Sequence, residues 1–170
     1  KHFPGLGRGK SDTHEDTVTV HADRATLEAS DLVPFREMIG KRNAAKNAKG
    51  ASGWFVMATH TMYPALDAKN PASLSPAILQ GLLREELSYD GVIVTDDLEM
   101  GAISRHYGFD RAGVEAILAG ADLVLVCHDY AHETAVYNGL LKAVKSGEIS
   151  KDRLDASVRR IVKAKIEYLE

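Results

Sequence analysis

Ionisable side chains stand directly after each short apolar run in this 170-residue sequence. Trp54-Phe55-Val56-Met57-Ala58 leads into Thr59-His60, Gly91-Val92-Ile93-Val94 into Thr95-Asp96-Asp97, and Leu123-Val124-Leu125-Val126-Cys127 into His128-Asp129. His2 closes an opening stub of the same kind. A carboxylate so placed can serve as a nucleophile or a base, and an imidazole can move protons near neutral pH. The polar segment between the stub and the first run carries Asp12-Thr13-His14. Residues two apart in an extended loop point to one side, so Asp12 can hold the His14 ring and stabilise its protonated form. Each position also has an ordinary structural reading: a satisfied histidine or, for Asp97, a helix cap. Four strand ends in succession weigh against that reading.

The elements that must position these groups alternate strand and helix. The three apolar runs show no in-out alternation, and continuous Val/Ile/Leu runs are buried on both faces, as in a parallel sheet covered by helices. Between them the spacing predicts helices. Leu27 to Lys41 carries Leu27, Leu32, Phe35, Met38 and Ile39. Ser75-Pro76, a capping hydroxyl before a proline at the first helical position, precedes the stripe Ile78, Leu79, Leu82, Leu83 and Leu87. An Ala- and Gly-rich helical segment runs up to Gly120, and two amphipathic helices close the chain, near 131–145 and 151–169. Leu154, Val158, Ile161, Val162, Ile166 and Leu169 mark the expected buried face of the last one. The basic stretch with Lys41, Arg42, Lys46 and Lys49, ending at Gly50, reads as a solvated helix end.

In parallel α/β folds, loops and chemistry gather at the carboxyl ends of the strands. A doubly wound sheet and a (β/α)8 barrel both fit, but a complete barrel takes about 250 residues, so three strands in this length would be part of one. Lys1-His2-Phe3-Pro4-Gly5 reads as the end of an element already under way.

Composition narrows the function classes. With 24 acidic and 21 basic side chains, no sequence-independent nucleic-acid binding is expected. No apolar run approaches the roughly 18 residues of a membrane span. A single cysteine, Cys127, excludes an internal disulfide framework and a Cys-rich zinc site, and it selects no compartment.

Together the motifs resemble glycoside hydrolase family 3, in its β-N-acetylhexosaminidase (β-N-acetylglucosaminidase) branch. Lys1-His2-Phe3-Pro4-Gly5 followed by Asp12-Thr13-His14 is similar to that branch's lysine-histidine strand end and Asp-Ser/Thr-His loop. Leu82-Leu83-Arg84-Glu85-Glu86 followed by Gly91-Val92-Ile93-Val94-Thr95-Asp96 resembles the signature around the family's catalytic aspartate. Thr59-His60 to Tyr63-Pro64, Pro71-Ala72-Ser73-Leu74-Ser75 and Ala119-Gly120-Ala121-Asp122 also fit.

The resemblance implies the C-terminal half of a (β/α)8 barrel, from the end of strand five through the helices after strand eight, with the N-terminal half as its partner. It implies retaining hydrolysis of terminal β-linked N-acetylglucosamine, such as a sugar derived from peptidoglycan, with phosphorolysis as an open variant because a neutral histidine does not repel an incoming phosphate. Asp96 would be the nucleophile and His14, oriented by Asp12, the acid/base. Lys1 and His2 would hydrogen-bond the sugar hydroxyls, and His60 would face the same pocket. No metal or cofactor is implied. The sequence departs from the pattern at Leu6, where relatives carry histidine, at Arg8-Gly9-Lys10, and at Glu99, where they carry a small or polar residue. Two rival readings are a metal-dependent barrel hydrolase using His2, His14, His60 and Asp96, and a non-catalytic sugar-binding or structural remnant.

Overall fold

The computed structural model describes residues 1–45 and 54–169. The three apolar runs form strands β1 (Val56–Ala58), β2 (Ile93–Asp97) and β3 (Leu123–Leu125), paired in parallel in the order β1-β2-β3. Val56 pairs with Ile93 and Ala58 with Thr95. Phe3 lies alongside β1 as a one-residue parallel bridge, its N–H donating to Met57 O and its carbonyl accepting from Thr59 N–H. The opening stub is therefore a fourth strand end in the same sheet.

Between β2 and β3 the register slips: Val94 pairs with Leu123 but Asp97 with Leu125. Three steps along β2 match two along β3, which is a bulge. An extra residue in one strand locally re-aims its side chains, and here the bulge falls on Thr95-Asp96. The Thr95 hydroxyl fills the resulting gap by accepting from Leu125 N–H at 3.1 Å.

Helices cover the sheet. They are α1 (Arg24–Thr26), α2 (Val33–Ala44), α3 (Gly101–Ser104), α4 (Phe109–Ala119), α5 (Tyr130–Ser146) and α6 (Lys151–Leu169). A further helix, Ala77–Glu86, is wound wide, closing with an i→i+5 bond from Leu87 N–H to Leu82 O. The expected start holds there: Ser75 Oγ accepts from Ile78 N–H and donates to Asp67. The expected helix from Leu27 divides, because Leu27–Asp31 closes with a wide turn before α2 begins with Pro34 in its first turn. Leu79, Leu83, Ile93, Leu98 and Ile103 lie fully buried in the main core. Among the described residues no helix is long and apolar enough to cross a membrane.

Three expectations need correction. Arg42 is buried rather than solvated: it pairs with Asp90 and lies over the Tyr89 ring. Lys46, Lys49 and Gly50 lie outside the described residues. Strand β3 is only half-buried along its length, since β2 is its one partner in the sheet. On α6 the apolar stripe faces outward, with Val158 48%, Val162 46% and Ile166 49% exposed. The side chain of Leu169 is outside the described set. The face of α6 that packs inward is instead Ser157 and Ala164, with Arg153 and Arg160 beside them.

Asp122 explains that orientation. Its carboxylate, without solvent exposure, accepts from Arg84 Nη2 (2.5 Å), Ser157 Oγ (2.7 Å), Arg160 Nη1 (3.0 Å) and the Ile93 N–H (3.0 Å). Arg153 Nη1 stands 3.7 Å away. One side chain thus joins the wide helix, the start of β2 and α6. A buried charge is tolerated only when paired and hydrogen-bonded, so α6 directs Arg153, Ser157 and Arg160 towards Asp122. Removing one partner of a buried pair costs about 3–5 kcal/mol. Asp122→Ala is expected to lower the unfolding free energy by about that amount, read as a lower urea midpoint at unchanged slope.

Candidate active site

The carboxyl ends of the strands carry the ionisable groups, and two neighbours on β2 point to opposite sides, as successive residues of a strand do. Asp96 lines an open cleft of about 550 Å³ together with His2, Asp12, Thr13 and His14. Asp97 turns the other way. Its Oδ1 accepts from Glu99 N–H at 3.1 Å and its Oδ2 pairs with His128 Nε2 at 3.1 Å. The expected helix-capping role of Asp97 is thus replaced by closure of the turn after β2 and a contact to the next strand end.

His2 Nε2 stands 3.5 Å from Asp96 Oδ2, both side chains partly exposed. Burial pulls the His2 pKa below the ordinary value, with Asp96 opposing and Lys1 assisting. The ring beside the candidate nucleophile is therefore inclined to be neutral, able to give one hydrogen bond and accept another. Lys1 is exposed and lines a neighbouring cavity of about 500 Å³ with Phe35, Trp54 and Phe55; His2 and Leu6 border both spaces.

In the loop, Asp12 Oδ1 accepts twice from His14, from the backbone N–H at 2.9 Å and from Nδ1 at 2.6 Å. The local Asx turn presets the pairing. The ionised carboxylate can only accept, so Nδ1 carries the proton and Nε2 is left for the cleft. The hydrogen bond to Asp12 raises the His14 pKa, and its charge adds to the effect; Asp96 and Asp97 raise it further. Asp12 is lowered in turn, first by the His14 backbone N–H and then by its ring. Both side chains remain largely exposed, 61% and 74%.

His60 stands at the strand end as expected, but its ring is fully buried and faces the protein. Nε2 donates to the Asp97 carbonyl at 2.9 Å, because a carbonyl can only accept, and Nδ1 meets Ser73 Oγ at 2.7 Å. Burial lowers its pKa, which favours the neutral tautomer those two contacts need. His60 therefore fixes the backbone at the end of β2, and its expected contact with a ligand is not available from this position.

Sequence reasoning passed over a second polar cluster. Glu99 accepts from the N–H groups of Cys127, His128 and Asp129 and from His132 Nδ1, all between 2.6 and 3.0 Å. Burial alone would raise its carboxyl; His132 and the three N–H groups outweigh it and hold it at about 2. His132 is itself stacked on Phe109, with ring centroids 3.9 Å apart. The departure at Glu99 is thus a clamp on the loop after β3, and nothing in the spacing of these residues signals it.

Ligand atoms of Asp97, Glu99 and His128 lie within 4.8 Å of one another. Both Glu99 oxygens are already filled by N–H donors and Asp97 by Glu99 and His128, so the cluster is satisfied as a hydrogen-bond network. The four side chains of the expected metal reading do not converge either. His60 commits both ring nitrogens inward, and His14 commits one to Asp12.

The Asp12–His14 pair makes a signed prediction. In Asp12→Asn the anion that stabilises the imidazolium is gone, so the His14 titration followed by NMR should move to lower pH, towards the ordinary value of 6.5. An unmoved titration would remove Asp12 as the cause of the shift.

Residues 1–164 match the glycosyl hydrolase family 3 N-terminal domain. A β-hexosaminidase of Nitrosomonas eutropha is 40% identical over 129 residues, covering 76% of this chain and 34% of its own length. A β-hexosaminidase of Stenotrophomonas maltophilia strain K279a is 42% identical over 138 residues, covering 81% of this chain and 38% of its own length. The solved family 3 β-N-acetylglucosaminidase of Paenibacillus sp. FPU-7 superposes with a TM-score of 0.90 at 45% identity, over 99% of this chain and 30% of that protein. The chain spans roughly a third of the length of such relatives. With the domain match running over nearly its whole length, this chain belongs to glycoside hydrolase family 3.

Proposed function

We propose that this chain carries the catalytic groups of a retaining β-N-acetylhexosaminidase, and that it forms the C-terminal half of a (β/α)8 barrel whose N-terminal half supplies the remaining strands. The observation that carries the reading is one open cleft at the strand ends holding both a carboxylate, Asp96, and an imidazole whose pKa is raised by its own carboxylate. The family and the β-hexosaminidase relatives support the sugar class. A terminal N-acetylglucosamine, as in a peptidoglycan-derived muropeptide, is the substrate we infer.

Most retaining glycosidases place two carboxyl groups about 5–5.5 Å apart, one as nucleophile and one as acid/base. Here the Asp12–His14 pair replaces the second. An Asp96 oxygen attacks the anomeric carbon while the bond from that carbon to the leaving oxygen breaks. The leaving oxygen takes the proton from His14. The neutral imidazole then removes a proton from water, the water oxygen forms the new bond to the anomeric carbon, and Asp96 is released with net retention. His2, which borders both spaces, and Lys1, from the adjoining cavity, hold sugar hydroxyls, and His60 holds the Asp97 carbonyl at the end of β2. Every proton and charge in this sequence is provided by side chains and water.

In the complete barrel, Asp96→Asn should abolish release of an aryl β-N-acetylglucosaminide, and a slow fluorinated glycoside should leave a sugar on the peptide containing Asp96. Retained turnover, or a label on another peptide, would remove Asp96 from this role. His14→Ala should lose about 10²–10⁴-fold on a poor leaving group and far less on an activated aryl one, with added azide restoring the second step. Equal losses on both would count against the acid role. Running the same assay in phosphate separates hydrolysis, which yields the free sugar, from phosphorolysis, which yields the sugar 1-phosphate.

A further inference from the structure

The acid/base loop is held by very little of its own. Asp12 and His14 are exposed, and within the Asp-Thr-His motif Thr13 alone is buried. What receives the loop is the segment that follows the nucleophile's strand. Gly101 N–H donates to the His14 carbonyl at 3.0 Å and Ala102 N–H to the Thr13 carbonyl at 3.2 Å. Farther along the same segment, His106 Nε2 meets Asp16 Oδ1 at 3.2 Å, and Arg105 Nη1 stands 3.8 Å from Asp16 Oδ2. The Thr17 N–H, and after it the His106 contact, keep the Asp16 carboxyl ionised to lower pH than usual.

The fit at Gly101 is close. A methyl group there would stand 2.2 Å from the Glu15 carbonyl oxygen and 2.8 Å from that of His14. Both obstacles are backbone, so they cannot swing aside as a side-chain tip would. The receiving segment itself is firmly seated: Leu98, Met100 and Ile103 are buried, and Leu98 N–H donates to the Leu125 carbonyl in β3.

We propose that Gly101 and the Asp16–Arg105/His106 contact are positioning residues for the acid/base, forming the receptor that docks the loop so that His14 lies over the cleft. The nucleophile and this receptor share one continuous segment, 93–106. Docking therefore sets the separation of the two reacting groups through a short rigid path rather than through the loop. Residue 101 acts by having no side chain, and Asp16 acts through charge at the far end of the loop. The proposal rests on the catalytic reading above for its kinetic consequence, but the docking itself does not.

Two variants test it in the complete barrel: Gly101→Ala, which blocks the seat, and Asp16→Asn, which removes the outer contact from an exposed position. The first readout is amide hydrogen exchange of residues 101–106, which is independent of turnover. Faster exchange at the Ala102 amide is expected in both variants. The second readout is the ratio of kcat/KM for an activated aryl β-N-acetylglucosaminide to that for a disaccharide with a poor leaving group. Gly101→Ala should lower the disaccharide rate about tenfold or more while changing the aryl rate by less than about threefold, since acid assistance is what is lost. Asp16→Asn should do the same to a smaller extent, about two- to fivefold. Azide should restore the second step in Gly101→Ala, as in His14→Ala.

Unchanged exchange together with equal effects on both substrates would overturn the proposal. If Gly101→Ala does not fold, Asp16→Asn decides by the same two readouts. If Asp96→Asn retains full activity the catalytic reading fails, whereas the exchange result still decides whether the loop docks at Gly101.

Discussion

Strand β2 is fixed at both ends by side chains from outside the sheet, and the placement of Asp96 and Asp97 depends on that. At its amino end the Ile93 N–H is held by the buried Asp122 carboxylate, which also gathers Arg84 and Arg160. At its carboxyl end the Asp97 carbonyl is held by the buried His60 ring. Between them lies a bulge, a feature that would loosen a strand paired by backbone alone. With both ends pinned and Thr95 filling the gap, the extra residue has one place to go. Helix α6 joins the same anchor through Ser157 and Arg160.

Three histidines near this strand illustrate how surroundings divide one chemistry into separate tasks. His60 is buried and kept neutral, suited to a fixed hydrogen-bond pattern. His2 is partly buried beside Asp96, where desolvation wins over the attraction of the carboxylate. His14 is exposed, but its private carboxylate raises its pKa. Desolvation and charge pairing push in opposite directions, and the sequence uses both within a few ångströms of one cleft.

Much of this was legible from residue order. The three apolar runs became the three parallel strands, and the two closing helices begin within a residue or so of their expected starts. The Asp12–His14 pairing is expected from a spacing of two in an extended loop; it forms, but in a turn that the spacing does not signal. The inward turn of His60 was not legible, because its partners Ser73 and Asp97 are 13 and 37 residues away and carry no periodic signal. The same holds for Arg42, whose buried contacts come from Asp90 and Tyr89. The apolar stripe of α6 is uncovered in this chain, and the face that packs here is the one that joins a long-range charge network, of which helical periodicity holds no record.

Neighbouring residues of a strand project to opposite faces, and two chemically identical side chains are divided in this way at the end of β2. Asp96 lines the open cleft, while Asp97 is consumed by a turn and by His128. A slip of one residue would turn every side chain of a strand to its other face. Register, which the core reads only as apolar or polar, is therefore read at this strand end as which carboxylate the cleft receives.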